Sequence, residues 1–318
     1  MGNNVQIDNA SLQRIVEIAK LYYKEGKTQE QIAKKLDISR PLVSTLLARA
    51  RELDIVQIEI KSPFSVNENN EKLLHQLQEK YHLEGGIIIP NIKDDYIKNK
   101  MLVEQAGELL FTLLGESRHI GIGWGVALDE AIGSMPEFNL PAAERFICPL
   151  MGNLNSSSRA YHTNELVRRI SLKCDATPLY LNAPVFPLNL QEQMLYSNTE
   201  NYRAIKSEWE NLDLIVLALS SYPTVPDLAS AYRLSGTNYA GKIVGEMLSY
   251  YYCDNGQFVM GENDYSIRVQ LDQLKKVKTV VAICQFNIQP IAVEGALKSG
   301  LINHIILDEG VAEKISLD

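Results

Sequence analysis

The spacing of apolar residues divides the chain into two regimes. From Leu12 to Leu47 they recur every three or four positions, the period of a helix buried along one face. Leu12 to Tyr23 predicts a first helix. Ile32, Ala33 and Leu36 stripe a second, and Leu42, Val43, Leu46 and Leu47 form the inward stripe of a third. Ile55 to Ile60, IVQIEI, alternates as a strand does and predicts a wing. Residues 62–70, SPFSVNENN, break the pattern and read as a linker. Beyond them, short runs of Ile, Leu and Val alternate with amphipathic stretches. Helices are expected over Glu71–Tyr81, Asp94–Leu114, Val126–Met135, Thr163–Lys173, Glu200–Trp209, Ile291–Lys298 and Gly310–Ile315. Strands are expected over Gly86–Pro90, Ser117–Gly123, Arg145–Leu150, Pro178–Leu181, Leu212–Leu219, Val277–Cys284 and Ile302–Leu307. Tyr250–Tyr252 reads as a strand entering a turn at Asp254-Asn255-Gly256. Residues 223–240 read as loop, and Glu246 as a polar residue in a helix-like stretch. Strands alternating with helices imply a mostly parallel sheet covered on both faces. The expected organisation is α/β: a helix-turn-helix, winged-helix-like domain over 1–61, a linker over 62–70 and a Rossmann-like ligand-binding domain over 71–318.

The ends of the second and third helices sharpen the first domain. Thr28 caps the second helix, with Gln31 in the capping-box position. Asp37 and Ile38 carry the turn. Ser39 is an N-cap, and Pro41 sits in the first turn, where its missing N–H costs nothing. Arg40, Ser44, Thr45 and Arg49 are left on the outer face of the third helix. An exposed helix start bearing Arg and hydroxyl groups suits a DNA major groove, because Arg pairs with guanine and the helix end favours phosphate. The expected DNA-binding set is Thr28, Gln29, Ser39, Arg40, Ser44, Thr45 and Arg49.

The formal charge of −8 over 318 residues is unusual for a DNA-binding protein, but its distribution is uneven. Residues 1–62 hold 10 Lys and Arg against 8 Asp and Glu, a net of +2, which leaves −10 for the remainder. A mildly basic head on an acidic body keeps the body off DNA. No apolar run reaches membrane-spanning length and no signal-peptide core opens the chain, so a cytoplasmic protein is expected. Cys148, Cys174, Cys253 and Cys284 are scattered without metal-ligand spacing and read as buried, reduced thiols. Neither a metal nor a cofactor is expected.

In a parallel sheet, ligands sit at the carboxyl ends of the strands. Gly123-Trp124-Gly125 follows one strand and opens a helix, where free N–H groups would favour an anion. Gly152 and Asn153 follow another, and His162 and Asn164 open the next helix as donors for sugar hydroxyls. Ser220, Glu246, the Gln285–Gln289 loop with Gln289, and Asp308 complete the expected effector set. No nucleophile with a neighbouring base and no carboxylate pair stands out, so the sequence makes no case for catalysis.

These residues, in this order, resemble the SorC-type transcriptional regulators of bacterial sugar operons. The pieces that carry the resemblance are KTQEQIAKKLDISRPLVSTLL, IVQIEI, IGIGWG, YHTN, GEMLSYYYCDNGQ and ALKSGLINHIILDEGVAEKI, and the resemblance spans nearly the whole chain. It implies a helix-turn-helix head on a body similar to ribose-5-phosphate isomerase and glucosamine-6-phosphate deaminase. It also implies a homotetramer on paired operator sites, with DNA released or reshaped when a phosphorylated sugar binds. Its effector loops fall on Gly123 to Gly125, Gly152 to Asn153, the His162/Asn164 segment, Glu246 and Gln285–Gln289. Three positions depart from the family pattern. Val126 stands where a hydroxyl residue is frequent, Ala218-Leu219-Ser220 where a glycine pair is, and Gln289 where Lys is common. The last replaces a point charge for phosphate with neutral hydrogen-bonding groups. The expected function is a DNA-binding regulator of a carbohydrate operon, controlled by a sugar or polyol, phosphorylated in the family pattern. The alternative is a sugar-phosphate isomerase or deaminase with an added head.

Overall fold

A computed structural model describes residues 9–53, 55–56, 67–136, 144–224, 226–237 and 242–317. The chain forms two compact units, Met1–Pro63 and Phe64–Asp318.

In the first unit, α1 (Asn9–Ala19) continues into a π-helical turn over Lys20–Lys24, so the first predicted helix changes pitch near its end. α2 (Gln29–Leu36) starts at Thr28, whose hydroxyl accepts the Gln31 N–H while the Gln31 side chain accepts the Thr28 N–H, the expected capping box. Asp37 ends it in the left-handed region at φ 50°, which Asp tolerates better than most residues. α3 (Arg40–Glu52) starts at Ser39, which accepts the Leu42 N–H. Ile18, Leu21, Ile32, Ala33, Val43 and Leu47 form the core between these helices. Leu42, expected in the inward stripe, is exposed. It lies next to Pro41 in the first turn, one step round the helix from the contact face. The predicted wing strand lies outside the described residues apart from Ile55 and Val56, which are not strand.

The second unit begins earlier than the expected linker end. Asn67 accepts the Asn69 and Asn70 N–H groups and Asn70 returns the bond, so α4 (Glu68–Tyr81) starts three residues before Glu71. The order is then β1 (Gly85–Ile89), α5 (Asp95–Glu116), β2 (His119–Ile122), α6 (Val126–Ser134), β3 (Phe146–Pro149), α7 (Thr163–Cys174), β4 (Thr177–Pro178), α8 (Leu190–Ser197), α9 (Glu200–Trp209), β5 (Leu214–Ser221) and α10 (Ser230–Arg233). It continues with β6 (Ile243–Met247), β7 (Tyr250–Cys253), β8 (Phe258–Val259), α11 (Leu271–Leu274), β9 (Thr279–Cys284), α12 (Pro290–Lys298), β10 (His304–Asp308) and α13 (Glu309–Leu317).

Seven strands pair in parallel in the order β1-β10-β9-β5-β2-β3-β4, as the apolar runs imply. The end of β5 also pairs antiparallel with β6, and β6–β7–β8 form a small meander. Glu246 therefore belongs to a strand. Gly245 precedes it and Tyr250-Tyr251-Tyr252 follows as the return strand, a hairpin signal that the helical reading overlooked. The hairpin's far turn closes at Gly256, φ +81°, where a Cβ would stand 2.5 Å from the Lys298 backbone. Short α8 and α10 lie in stretches assigned to no element or to loop. One contiguous core fills both faces of the sheet, and all four cysteines are buried and unpaired.

Candidate functional site

On the head, Arg40, Ser44, Thr45 and Arg49 are all exposed along α3. Thr45 donates its hydroxyl back to the Pro41 carbonyl at 3.1 Å, and Arg49 pairs with Glu52 at 3.1 Å. An open recess of about 540 Å³ joins the starts of α2 and α3, lined by Tyr22, Gly26, Lys27, Thr28, Gln29, Glu30 and Arg40. Thr28, Gln29 and Arg40 are thus brought together with Lys27 and Tyr22, which the sequence reading left out. Lys27, directly before the cap, was the available signal. Free N–H groups at two helix starts beside Lys27 and Arg40 suit a phosphate diester.

In the body, chain order reverses between β2 and β5: β3 and β4 lie beyond β2, and β9 and β10 beyond β5. Such a switch point opens a crevice at the carboxyl ends of the strands. Gly123-Trp124-Gly125 crosses it. Gly125 sits at φ +130°, and a Cβ there would stand 2.6 Å from that of Ala218. The free N–H groups expected of this loop are partly spent. Gly123 donates to the Val216 carbonyl at 2.8 Å and Gly125 to that of Ala160 at 2.9 Å. Trp124 is buried edge-on to Tyr161 at 5.7 Å and to Phe186 at 6.2 Å.

Glu246 lies across the antiparallel pair from Ser220 and is buried. Burial raises its carboxyl to about 7, even though the Ser249 N–H it accepts, Arg233, Arg268 and the Trp124 indole all pull it down. The indole N–H has no partner at hydrogen-bonding geometry, although it is close enough to the carboxyl to lower its pKa. Behind Glu246, Arg233 and Arg268 share Asp264, at 3.2 and 2.8 Å. Burial would raise Asp264, but the two guanidinium groups hold it at about 2. Arg268 stacks 3.4 Å from the Tyr250 ring centre, and Arg233 lies over both Phe186 and Tyr251. This buried triad was missed, because Arg233, Asp264 and Arg268 are 31 and 4 residues apart and form no motif.

The loop after β3 is organised differently from expectation. Gly152 donates its N–H to Ile267, and its Cβ position is filled by Pro184. Asn153 accepts from the Thr163 hydroxyl and the Asn164 N–H, both at 3.2 Å. Asn164 exchanges two 3.0 Å bonds with the Leu181 backbone, and His162 Nε2 donates to the Ser156 carbonyl at 2.7 Å. These side chains pin the loop across the strand ends. They also line an open recess of about 530 Å³ with Arg159, Glu165, Arg168, Tyr180 and Asn182. Gln289 is exposed at the start of α12, and its backbone N–H donates to the Ser221 hydroxyl at 2.9 Å. That bond ties the Gln285–Gln289 loop to the end of β5. Asp308 ends β10, two strands from β5, and accepts the Val311 N–H at 3.2 Å. Among the described residues no group of His, Cys, Asp or Glu is arranged to hold a metal, and no helix is long and apolar enough to cross a membrane.

Residues 66–316 match the profile of a protein family described as "Putative sugar-binding domain". The chain belongs to this family. It is similar along almost its full length to the sorbitol operon regulator of Klebsiella pneumoniae, at 27% identity over 94% of this chain and 96% of that one. It is also similar to the deoxyribonucleoside regulator of Bacillus subtilis, at 26% identity over 98% and 100%. The crystal structure of the full-length Klebsiella regulator superposes with a TM-score of 0.73, at 24% identity over 98% of this chain and 100% of that one. A DeoR family regulator from Listeria monocytogenes superposes with a TM-score of 0.66, at 21% identity over 78% and 100%. The chain is thus a SorC-type transcriptional regulator with a sugar-binding body.

Proposed function

We propose that this regulator reads operator DNA with the starts of α2 and α3, and that a small sugar or polyol phosphate controls it from the β2/β5 crevice. The observation that carries this reading is the presence, in one chain, of the sugar-binding family over 66–316 and a helix-turn-helix with Arg40, Ser44 and Thr45 facing outward. Two relatives are named for sorbitol and for deoxyribonucleosides, a polyol and a sugar-containing molecule. Glu246 and the Trp124 indole supply the polar groups for such a ligand inside the crevice. Gln289, at the start of α12, faces its anionic end. The protein acts in the cytoplasm as a homo-oligomer, because one small head makes few DNA contacts and symmetric pairs read paired half-sites; the resemblance to the SorC-type regulators makes that oligomer a homotetramer.

A thermal-shift screen of sugars, polyols and their phosphates tests the ligand, since a molecule that binds only the folded state raises its melting temperature. The same hits are then added to mobility-shift titrations of DNA from beside the protein's own gene. The reading expects at least one hit that both stabilises the protein and changes its DNA affinity. A protein that no carbohydrate stabilises, or whose stabilising ligands leave DNA binding untouched, would overturn it.

A further inference from the structure

α8 is the only one of the longer helices of the second unit, among the described residues, with no buried residue at all. Its sequence, LQEQMLYS, is nevertheless half apolar. Leu190 is 53% exposed, Met194 54% and Leu195 69%, while Leu188, just before the helix, is 78% exposed. Tyr232 of α10, 49% exposed, joins them through its hydroxyl, which donates to the Leu188 carbonyl at 3.3 Å. Leu188 and Tyr232 also line a recess of about 310 Å³ with Phe186, Pro187 and Tyr265. The one charge on α8, Glu192, accepts the Leu188 N–H at 2.7 Å and so is turned along the chain.

We propose that this face is where two copies of the chain associate, α8 against α8, with a leucine of each copy entering the recess of the other. The inference deepens the oligomeric part of the functional reading and rests on that part alone. Taking about 150 Å² for a large side chain, the low end of the aromatic range, the exposed fractions of these five residues amount to roughly 450 Å² of apolar surface. A standard interface covers about 800 Å² on each partner and is about 60% apolar, which requires roughly 480 Å². The patch is therefore about the size of the apolar part of one such interface, and large for a surface left in water. Charge selects the occupant. The chain beyond residue 62 carries −10, so two copies repel each other least where carboxylates are few, and the one carboxylate of α8, Glu192, is held by the Leu188 N–H of its own chain rather than offered to a basic partner. A two-fold axis places such a face on itself, as the self-complementary pairing of leucines with recess requires.

The test uses the full chain. Leu190→Glu with Leu195→Glu changes two side chains that lie mostly in solvent, so the fold is kept, and unchanged circular dichroism and tryptophan emission verify that. Light scattering should show the mass of the double variant falling twofold or more below wild type at equal concentration. In a second arm, Met194→Cys is treated with a short bismaleimide. The four native cysteines are buried, so a covalent dimer should form through position 194 and be absent from wild type. A wild-type chain that runs as a monomer, a double variant of wild-type mass, or a Met194→Cys protein that gives no covalent dimer each overturns the proposal. The sugar thermal shift is measured on the same samples. A monomeric wild type that still responds to sugar and DNA would sink this interface and leave the regulator reading standing.

Discussion

The buried carboxyl of Glu246 should make the stability of the body fall as pH rises through neutrality. Burial shifts it from the ordinary 4.5 to about 7. The groups facing it are Arg233, Arg268, the Ser249 N–H and the Trp124 indole, together with Tyr161, Tyr251 and Tyr252, whose phenols are raised mainly by burial and further by this carboxyl. Below pH 4.5 the carboxyl is neutral in both folded and unfolded chains and contributes nothing. Between 4.5 and about 7 the unfolded chain releases the proton and the folded chain keeps it, so stability declines with pH. Above about 7 both forms are ionised, and a constant cost of about 3 kcal/mol remains. Glu246→Gln keeps the shape and an acceptor for Ser249 but removes the titration. The variant should therefore gain on wild type by about 2.5 kcal/mol between pH 5 and pH 8. Taking the difference between the two proteins cancels other groups. His304, lowered by burial, acts with the opposite sign, and Asp264 titrates far below this window. The assay is urea unfolding at fixed protein concentration, followed by tryptophan fluorescence. Both tryptophans, Trp124 and Trp209, lie in the body, so the head does not contribute to the signal. Parallel stability-against-pH curves for the two proteins would refute a raised Glu246.

Arg40→Ala should weaken operator binding by about 1–3 kcal/mol in a mobility-shift titration, if Arg40 reads a base, and leave the sugar thermal shift unchanged. Gln289→Lys should tighten a phosphorylated effector by a factor of about 5 or more and steepen its salt dependence, because a charged hydrogen bond exceeds a neutral one by about 1 kcal/mol. Calorimetric titration of a phosphate and its free sugar against both proteins shows whether that gain is confined to the phosphate. Asn164→Ala removes both bonds to the Leu181 backbone and should cost about 1–3 kcal/mol in urea unfolding, with a matching loss for the loop's grip on the crevice.

What the sequence made legible follows the range of the forces involved. The head was readable because capping is local: Thr28 and Gln31, or Ser39 and Leu42, meet within three residues. The parallel sheet was readable because strands buried on both faces must be continuous runs of Ile, Leu and Val. Glu246 was misplaced because one buried carboxylate in VGEM breaks such a run, and its compensation lies elsewhere. Ser249 arrives through a tight hairpin, and Arg233 and Arg268 from segments on either side. The same holds for Asn153 and Asn164. Their placement at strand ends was foreseen, but whether an amide faces ligand or backbone depends on where Leu181 passes, 17 residues further along. α8 is the converse case. Asn189 accepting the Glu192 N–H is a local start signal as plain as that at Thr28. Tyr196 packs against the core, but Leu190, Met194 and Leu195 are left exposed, and a pattern whose partner lies outside the chain cannot be assigned a face from the chain alone. The polar positions that the sequence misjudged and the apolar ones that it left unplaced thus share a cause. In each, the group that satisfies the side chain is distant in sequence, and for α8 we place it in a second molecule.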